Sequence, residues 1–559
     1  MELLDARRLV GPNALMDRPG GVVDLAFAEA DEPLLGAFIA RYRSRARDCL
    51  DALGWFDQVT AVRRVPGGVS VAASAPIDGL HTAVDLVKWA AVDAWDSLDE
   101  QAIPSLERTA ARLRRYRDQD AQPELRALVA AARARGVPWL ADGDILTLGY
   151  GVRGCSWPLD GLPAVAEVGW ASLGTIPLGL VTGTNGKTTT TRLVGAMATA
   201  AHHTVGTTTT DGVFVARERL AKGDYAGPEG ARWVLRHDKV DFAVLETARG
   251  GILRRGLAPL WAKAALITNI AGDHLEDFGV ANLDELTAVK GTVSKALSAD
   301  GVLVLNEDDP QLTAWAHRWR GRRLGFGSGE SPQQGVEGCT FGGGELIYWQ
   351  GGQRHWSLAI DALPIARDGA VYQGVNAAGA VALAVALELD FAAIERGLTQ
   401  FTSADNPGRR NVFTINGATA ILDYAHNPQG LRVLAQSLGE FPAGRRLLVM
   451  GQAGDRSDAA IGDFAREALA TGPVRVIVKE TPKLRRGRPP GEVPALIEGA
   501  LVAGGLPREA VTQCDDEVAA VREALAWARA GDLLLLLIHH QREEVLALLR
   551  EVAACRGEG

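Results

Sequence analysis

"VTGTNGKTTTTRLVGAM", Val181 to Met197, sets three glycines, one lysine and six threonines between two apolar runs. Upstream, Ile176 to Val181 is short and largely apolar, as in a buried strand; downstream, Arg192 to Ala201 carries small and apolar residues at helical spacing. The glycines therefore fall at a strand-to-helix turn. Such a turn closes backbone N–H groups around phosphate oxygens, and the helix N-terminus adds the positive end of its dipole. Lys187 is placed to reach the outer phosphates of a nucleotide and Thr188 to offer a hydroxyl to a magnesium ion, so the expected phosphate loop is Gly183, Thr184, Asn185, Gly186, Lys187, Thr188 and Thr189. The general pattern has its first glycine where this chain has Val181; here Gly183 stands closer to Gly186, and the loop is shortened. A plain tight turn would leave lysine and threonine directly after the second glycine unexplained.

The rest of the composition is that of a multidomain globular protein. A chain of 559 residues, 47% hydrophobic and 23% charged, is too long for one core and predicts about three or four domains. The net charge of -9 argues against a nucleic-acid binder. Cys49, Cys155, Cys339, Cys514 and Cys555 are scattered, without metal-site spacing or a disulfide framework, which fits a reducing cytoplasm. The opening "MELLDARR" is charged, unlike a signal peptide, and "DLLLLLI" near the C-terminus is too short to span a bilayer and reads as a buried strand. A cytoplasmic protein with no membrane partner is expected.

Along the chain, an α/β fold with three folded parts is predicted. Met1 to about Glu100 mixes strand-like runs ("VVDLAF", "GGVSVAAS") with helical ones (Leu34 to Leu53, Leu80 to Trp95), and with the Arg-rich helical stretch that follows makes a small α/β domain over 1–120 without a catalytic signature. Over 121–175, a helix from Glu124 to Arg135 and the run "ILTLGYG" look like the opening of a further domain that does not continue. From 176 to 405 strands alternate with helices, as in a mostly parallel sheet, with the glycine-rich segment Gly325 to Trp356 as a hairpin or surface loop. From 406 to 559 the runs "TAILDYA", "RRLLVMG", "VRVIVKE" and "DLLLLLI" are four buried strands of a Rossmann-like terminal domain.

Further chemistry follows the loop. Glu246 stands at the end of the apolar run Phe242 to Leu245, and Asp273 and His274 follow "ALITNIAG" in the same way. A lone carboxylate or imidazole in such a place is more often a cap or a solvated turn residue. Two strand ends beside a phosphate loop favour metal ligation instead, since magnesium near ATP needs few protein oxygens. Lys290 by itself would be a surface lysine, and the basic run Lys483, Arg485, Arg486 and Arg488 a solvated loop.

"GTNGKTTTTRL", "GTTTTDG", "GDYAGPEGAR", "LETARGGILRRGL", "TNIAGDHL", "LNEDDP", "NPGRRN", "LDYAHNPQGL", "GDRSD" and "VKETPKLRRGRPPGE" occur in that order from Ile176 to the end. This series resembles the Mur ligase superfamily of ATP-dependent amide-forming enzymes and, within it, the C-terminal half of the cyanophycin synthetases. "RRLVGPNAL" and "VVDLAF" are similar to the small N-terminal domain of those synthetases, and "ARARGVPWLADGDILTLGYG" to the first unit of their ATP-grasp module, the rest of which is absent. The 121–175 segment is then a linker or a remnant of that module.

The resemblance implies a central P-loop ATPase domain and a reaction in which a carboxylate is phosphorylated by ATP and an amine displaces phosphate from the acyl phosphate. It implies Lys187 on the β- and γ-phosphates, Thr188 and Glu246 on one magnesium ion, His274 on a second, and Lys290 at a position where many relatives carry a carbamylated lysine. Asn376 matches an adenine-contacting asparagine, although Tyr372-Gln373 replaces the usual preceding His-Asn, and Arg409 and Asp423 match residues that close over the nucleotide. The partners implied are an acidic peptide or polymer acceptor and an amine, plausibly of an amino acid, delivered to the terminal domain. In cyanophycin synthetases the Mur-like half attaches arginine to aspartate side chains while the ATP-grasp module extends the backbone, so this chain would need its acceptor made elsewhere, by a separate ATP-grasp synthetase. The competing reading is a non-catalytic ATP-binding scaffold of such a synthetase. The intact Lys187, Thr188, Glu246 and His274 favour an enzyme. Homo-oligomerisation is left open.

Overall fold

The apolar runs assemble into four sheets in the computed structural model, which describes residues 1–98, 105–272, 279–332, 337–366, 370–441 and 444–554. The first sheet contains β1 (Glu2–Leu9), β2 (Gly20–Ala26), β3 (Thr60–Val65) and β4 (Gly68–Ser74), all antiparallel in the order β1-β2-β4-β3. The helices Leu35–Ala52 and Leu80–Asp96 cover it, and Val23, Phe38, Tyr42, Val71 and Leu86 form its core. The helix Leu106–Asp120, N-capped by the Ser105 hydroxyl, adds Leu113 to the same core.

Residues 121–175 fold into a packed unit. The helix Pro123–Ala134 starts on a proline, whose missing N–H costs nothing at that position, and packs against an antiparallel sheet of β5 (Trp139–Asp142), β6 (Ile145–Leu148) and β7 (Cys155–Pro158). Leu128, Trp139, Leu146 and Leu148 give this unit a core of its own. It is fastened to the next domain by Val152 N–H donating to Val240 O (2.8 Å) and Leu260 N–H donating to the Tyr150 hydroxyl (2.9 Å).

The central sheet has eleven strands: β8 (Leu178–Thr182), β9 (Val205–Thr209), β10 (Gly212–Val215), β11 (Glu218–Lys222), β12 (Phe242–Glu246), β13 (Ala262–Ile267), β14 (Leu297–Asn306), β15 (Arg322–Ser328), β16 (Gly338–Gly342), β17 (Glu345–Gln350) and β18 (Gln353–Ala359). Their order is β11-β10-β9-β12-β8-β13-β14-β15-β16-β17-β18, parallel from β9 to β16 and antiparallel at both edges. The glycine-rich segment is more than a surface loop. It supplies β16, β17 and β18, and Cys339, Leu346 and Tyr348 enter the main core, so the hairpins widen the sheet.

The terminal sheet runs β19-β20-β24-β21-β22-β23, with β19 (Asn411–Ile415) antiparallel to β20 (Ala418–Asp423), and β24 (Leu533–Leu537), β21 (Arg446–Met450), β22 (Arg475–Lys479) and β23 (Val511–Cys514) parallel. The four quoted apolar runs are β20, β21, β22 and β24. They are apolar throughout because both faces of a parallel sheet are covered. Among the described residues no helix is long and apolar enough to cross a membrane.

The phosphate-loop helix, Lys187–Ala200, is gripped by the helix Phe391–Gln400, and the close approach is at Gly397. A Cβ there would lie 2.4 Å from Met197 Cα and 2.6 Å from its backbone nitrogen. Gly397→Ala is therefore expected to destabilise the protein by about 1–3 kcal/mol through overpacking, measured by denaturant unfolding. A change below about 0.5 kcal/mol, within the range of ordinary surface substitutions, would show that the two helices separate freely.

Candidate active site

The loop after β8 is shaped by its two glycines. Gly183 (φ +136°) and Gly186 (φ +87°) adopt backbone angles that side chains resist, and a Cβ would lie 1.8 Å from Thr268 Oγ1 at the first and 2.4 Å from Asn376 Oδ1 at the second. Thr184 N–H donates to Asn269 O (2.8 Å) and Asn185 N–H to Asn269 Oδ1 (3.0 Å), which tie the loop to the end of β13. The helix that follows begins at Lys187, and its first N–H groups have no partner one turn back. Lys187 Nζ donates to Thr184 O (2.9 Å), and Lys290, buried, donates to Gly183 O (2.7 Å). Lys290 is thus an interior group at the loop.

Glu246 ends β12, next to β8 in the sheet. Its Oε2 accepts from Thr188 Oγ1 (2.8 Å), while Oε1 is buried with no hydrogen-bond partner among the described residues. Burial raises its pKa and the Lys187 charge opposes this. A buried carboxylate oxygen without a donor, beside a hydroxyl and a phosphate-type loop, fits a divalent cation. Thr188 and Glu246 could hold it, with the remaining positions taken by phosphate and water oxygens. No cluster of three or more metal-ligating side chains occurs among the described residues. Asp273 and His274 lie outside the described residues.

The terminal domain reaches this loop directly. Asn185 Nδ2 donates to Asn427 Oδ1 (3.2 Å) and Gln429 Oε1 (2.9 Å), and Asn427 Nδ2 donates back to Asn185 Oδ1 (3.0 Å). Asn427 also N-caps the helix Pro428–Gln436. From the linker of residues 401–410, between the helix Phe391–Gln400 and β19, Arg409 donates to Thr188 Oγ1 (3.4 Å), and its guanidinium lies 4.0 Å from the Tyr424 ring centre. Asp423 accepts from Arg410 N–H and Ala425 N–H (both 2.8 Å); burial raises its pKa and Arg409 opposes the shift. Gly183 to Thr189, Glu246, Lys290, Asn376, Arg409 and Asp423 all line or close one cleft of about 1860 Å³. One wall of that cleft carries Arg8, Arg232, Arg249, Arg254 and Arg255; the terminal domain contributes His426, Asp455, Arg486 and His539.

The basic run divides. Arg488 is bound by Asp458 (2.7 Å) and Glu492 (2.6 Å), a structural role, whereas Arg486, at φ +51°, lines the cleft beside Asp455 (3.8 Å). The sequence reading overlooked a buried cluster behind this wall. The Glu517 carboxylate accepts from Lys479 and from the N–H groups of His539 (2.8 Å), His540 (2.9 Å) and Gln541 (2.6 Å). Burial disfavours the Glu517 charge, but Lys479, His539 and the hydrogen bonds to the carboxylate together hold it below the usual range. Lys479 Nζ also faces His539 Nδ1 (3.2 Å), so the imidazole is neutral with its proton on Nε2, which donates to Ala425 O (3.1 Å). Burial and the Lys479 charge push the His539 pKa down. The signal was a lysine closing an otherwise apolar strand.

Residues 181–343 match the family model described as Mur ligase middle domain, and 408–537 that described as Mur ligase, glutamate ligase domain. Cyanophycin synthetase of Trichormus variabilis is 33% identical over 377 residues, covering 65% of this chain and 41% of the relative. The chain thus spans less than half the length of such relatives. The UDP-N-acetylmuramoyl-L-alanyl-D-glutamate--2,6-diaminopimelate ligase of Gloeobacter violaceus is 27% identical over 382 residues, covering 64% and 70%. Among solved structures, E. coli FolC in complex with DHPP and ADP shares the fold at 21% identity and a TM-score of 0.51, over 67% of this chain and 89% of that one.

Three outcomes follow from this geometry. Lys187→Ala should weaken binding of a non-hydrolysable ATP analogue by about tenfold or more, as loss of a charged hydrogen bond does, whereas Glu246→Gln should weaken it only when magnesium is present. Calorimetry with and without magnesium reads both, and equal effects in the two conditions would remove Glu246 from the cation site. Glu517→Gln should cost about 3–5 kcal/mol of stability by leaving Lys479 buried without its counter-charge, read by denaturant unfolding at neutral pH.

Proposed function

We propose that this chain, which belongs to the Mur ligase family by its middle and terminal domains, is an ATP-dependent, ADP-forming ligase that joins an acidic acceptor to an amine. The observation that carries the reading is the meeting of three groups at Thr188: its hydroxyl donates to Glu246 from the central sheet and accepts from Arg409 of the linker, at the mouth of the phosphate loop. A nucleotide bound there would be held by both domains at once.

In this reading the loop N–H groups and Lys187 take the β- and γ-phosphates, Thr188 and Glu246 take magnesium, and Asn376 contacts the adenine. His274 would serve a second metal ion. Lys290, already fixed to the loop carbonyl of Gly183, supports the loop or, once carbamylated, faces a metal. Magnesium, when bound, neutralises charge on the transferring phosphoryl group. The acceptor carboxylate attacks the γ-phosphorus, ADP leaves, and the amine then attacks the acyl carbon with loss of phosphate. No protein nucleophile is needed, so the chain's work is positioning and charge neutralisation. Asp423 orders the linker turn that presents Arg409 by accepting the Arg410 N–H.

The arginine wall supports an acidic acceptor. It includes Arg249 and, from the N-terminal domain, Arg8, and a second hollow is lined by Arg7, Arg8, Lys88, Arg254 and Arg255 together with Asp5 and Asp85. The acceptor is a peptide or poly-acid chain made by a separate synthetase, and the amine is that of an amino acid.

Phosphate release should require ATP, magnesium, an acidic peptide and an amine together, screened with each amino acid in turn. Full-rate release with ATP alone would make the protein a simple ATPase. Nucleotide binding without turnover for every pair would leave the scaffold reading in its place. The double charge reversal of Arg254 and Arg255 to glutamate should raise KM for a long acidic acceptor by about tenfold or more while changing kcat little, since it removes binding contacts remote from the reacting carbon. An unchanged KM would detach the wall from the acceptor.

A further inference from the structure

A ring of side chains leaves the phosphate-loop helix at one threonine and returns to it at the next. From Thr188 it passes to Arg409, whose guanidinium lies over Tyr424. On Tyr424 it meets Arg542, 5.1 Å from the ring centre. Arg542 reaches Asp211 Oδ1 (2.5 Å) in the turn between β9 and β10, and Asp211 Oδ2 accepts from Arg192 (2.5 Å). Arg192 donates to Asn406 Oδ1 (3.2 Å), and Asn406 Nδ2 donates to Thr189 Oγ1 (3.1 Å). The ring crosses from the central domain to the linker, then to the terminal domain, and back.

Arg542, the first residue of the helix Arg542–Ala554, is the member that touches all three parts. Besides Asp211 and Tyr424, its stem lies where a Cβ on Gly408 would be, with Cδ 2.0 Å from that position, so only glycine fits beside it in the linker. Gly408 stands at φ +78°, directly before Arg409. The ion pair is largely shielded, with 15% of the Arg542 side chain and 12% of that of Asp211 exposed. Burial works against the Asp211 charge, yet Arg542, Arg192 and Arg409 together hold its pKa below the ordinary value. Next to it, exposed Glu543 receives Arg219 (2.5 Å) and Lys222 (2.8 Å) from β11, so the same helix start is held to the same hairpin twice.

We propose that Arg542 is a positioning residue for the phosphoryl-transfer step: by bridging Asp211, Gly408 and Tyr424 it holds the terminal domain closed and sets Arg409 against Thr188. This rests on the ligase reading above. Arg542 itself touches neither the loop nor the groups assigned to nucleotide, so its loss should slow the step that needs the closed arrangement by more than it weakens nucleotide binding.

The test compares wild type, Arg542→Ala and Arg542→Lys as full chains. With the best acceptor and amine pair, Arg542→Ala should lower kcat at least tenfold while KM for ATP and the Kd for ADP with magnesium rise by a clearly smaller factor, the pattern of an interaction realised mainly in the transition state. Added guanidinium ion should restore part of the alanine variant's rate and none of wild type's, and lysine should recover only part, lacking the fork that reaches acid and ring together. Equal losses in kcat and ADP affinity, absence of guanidinium rescue, or kcat within twofold of wild type would overturn the proposal. A second arm needs no turnover: small-angle scattering of the ADP-bound proteins should show a larger radius of gyration for Arg542→Ala than for wild type. Identical scattering would overturn the proposal even were every substrate pair inactive, an outcome that would separately remove the ligase reading.

Discussion

A carboxylate buried at the end of a parallel strand is the constraint on which the site depends. Glu246 is 1% exposed, has one oxygen on the Thr188 hydroxyl and leaves the other without a donor among the described residues. An ionised carboxylate in such a place is costly unless charge or hydrogen bonds compensate it. The compensation comes from the loop lysine, the loop threonine and the arginine of the linker, which the fold gathers within reach of one another. A cation between Glu246 and a phosphate chain would complete that balance, which explains why the neighbouring backbone must be glycine: side chains at Gly183 and Gly186 would strike Thr268 and Asn376, the groups that form the other side of the cradle.

The terminal domain adds a second layer of the same logic. Its contacts with the loop are made by short polar side chains, Asn427 and Gln429, and by charged groups stacked on one aromatic ring, Tyr424. Such contacts are directional and carry little apolar area, as between parts that meet and separate. Behind them the Lys479–Glu517–His539 cluster is rigid. Its carboxylate has several donors, and its imidazole is bound at both nitrogens, so Ala425 and the segment that presents Asp423 and Asn427 are anchored in the terminal domain's own interior.

The N-terminal domain and the packed unit of 121–175 enlarge the cleft on the side away from the terminal domain. Arg8 and Asp142 come from these parts and line the same cavity as Arg249 and Arg255. Arg232 is held by Asp142 at 3.1 Å. The small unit therefore orders one wall of the site as well as joining two domains.

Local chemistry made much of this legible. The shortened loop, the apolar strands of both parallel sheets and the strand-end position of Glu246 follow from glycine's permitted backbone angles, from burial on two faces and from the periodicity of strand and helix. The four terminal-domain runs could be read as strands because nothing else accommodates such continuous apolar segments. What the sequence could not supply is pairing across long separations. Lys290 reads as a surface lysine until the fold places it under Gly183, and Lys479 shows no partner until Glu517 and His539 are brought to it. The glycine-rich segment reads as a hairpin or surface loop; its antiparallel strands are hairpins, and only docking on β15 makes them a sheet edge. Asp211 and Arg542 lie more than three hundred positions apart, and an ion pair leaves no local periodicity in either stretch. The sequence by itself determined the elements and the phosphate chemistry, which arise from neighbours along the chain; the tertiary structure alone decided which charges meet, because that depends on how the elements close in space.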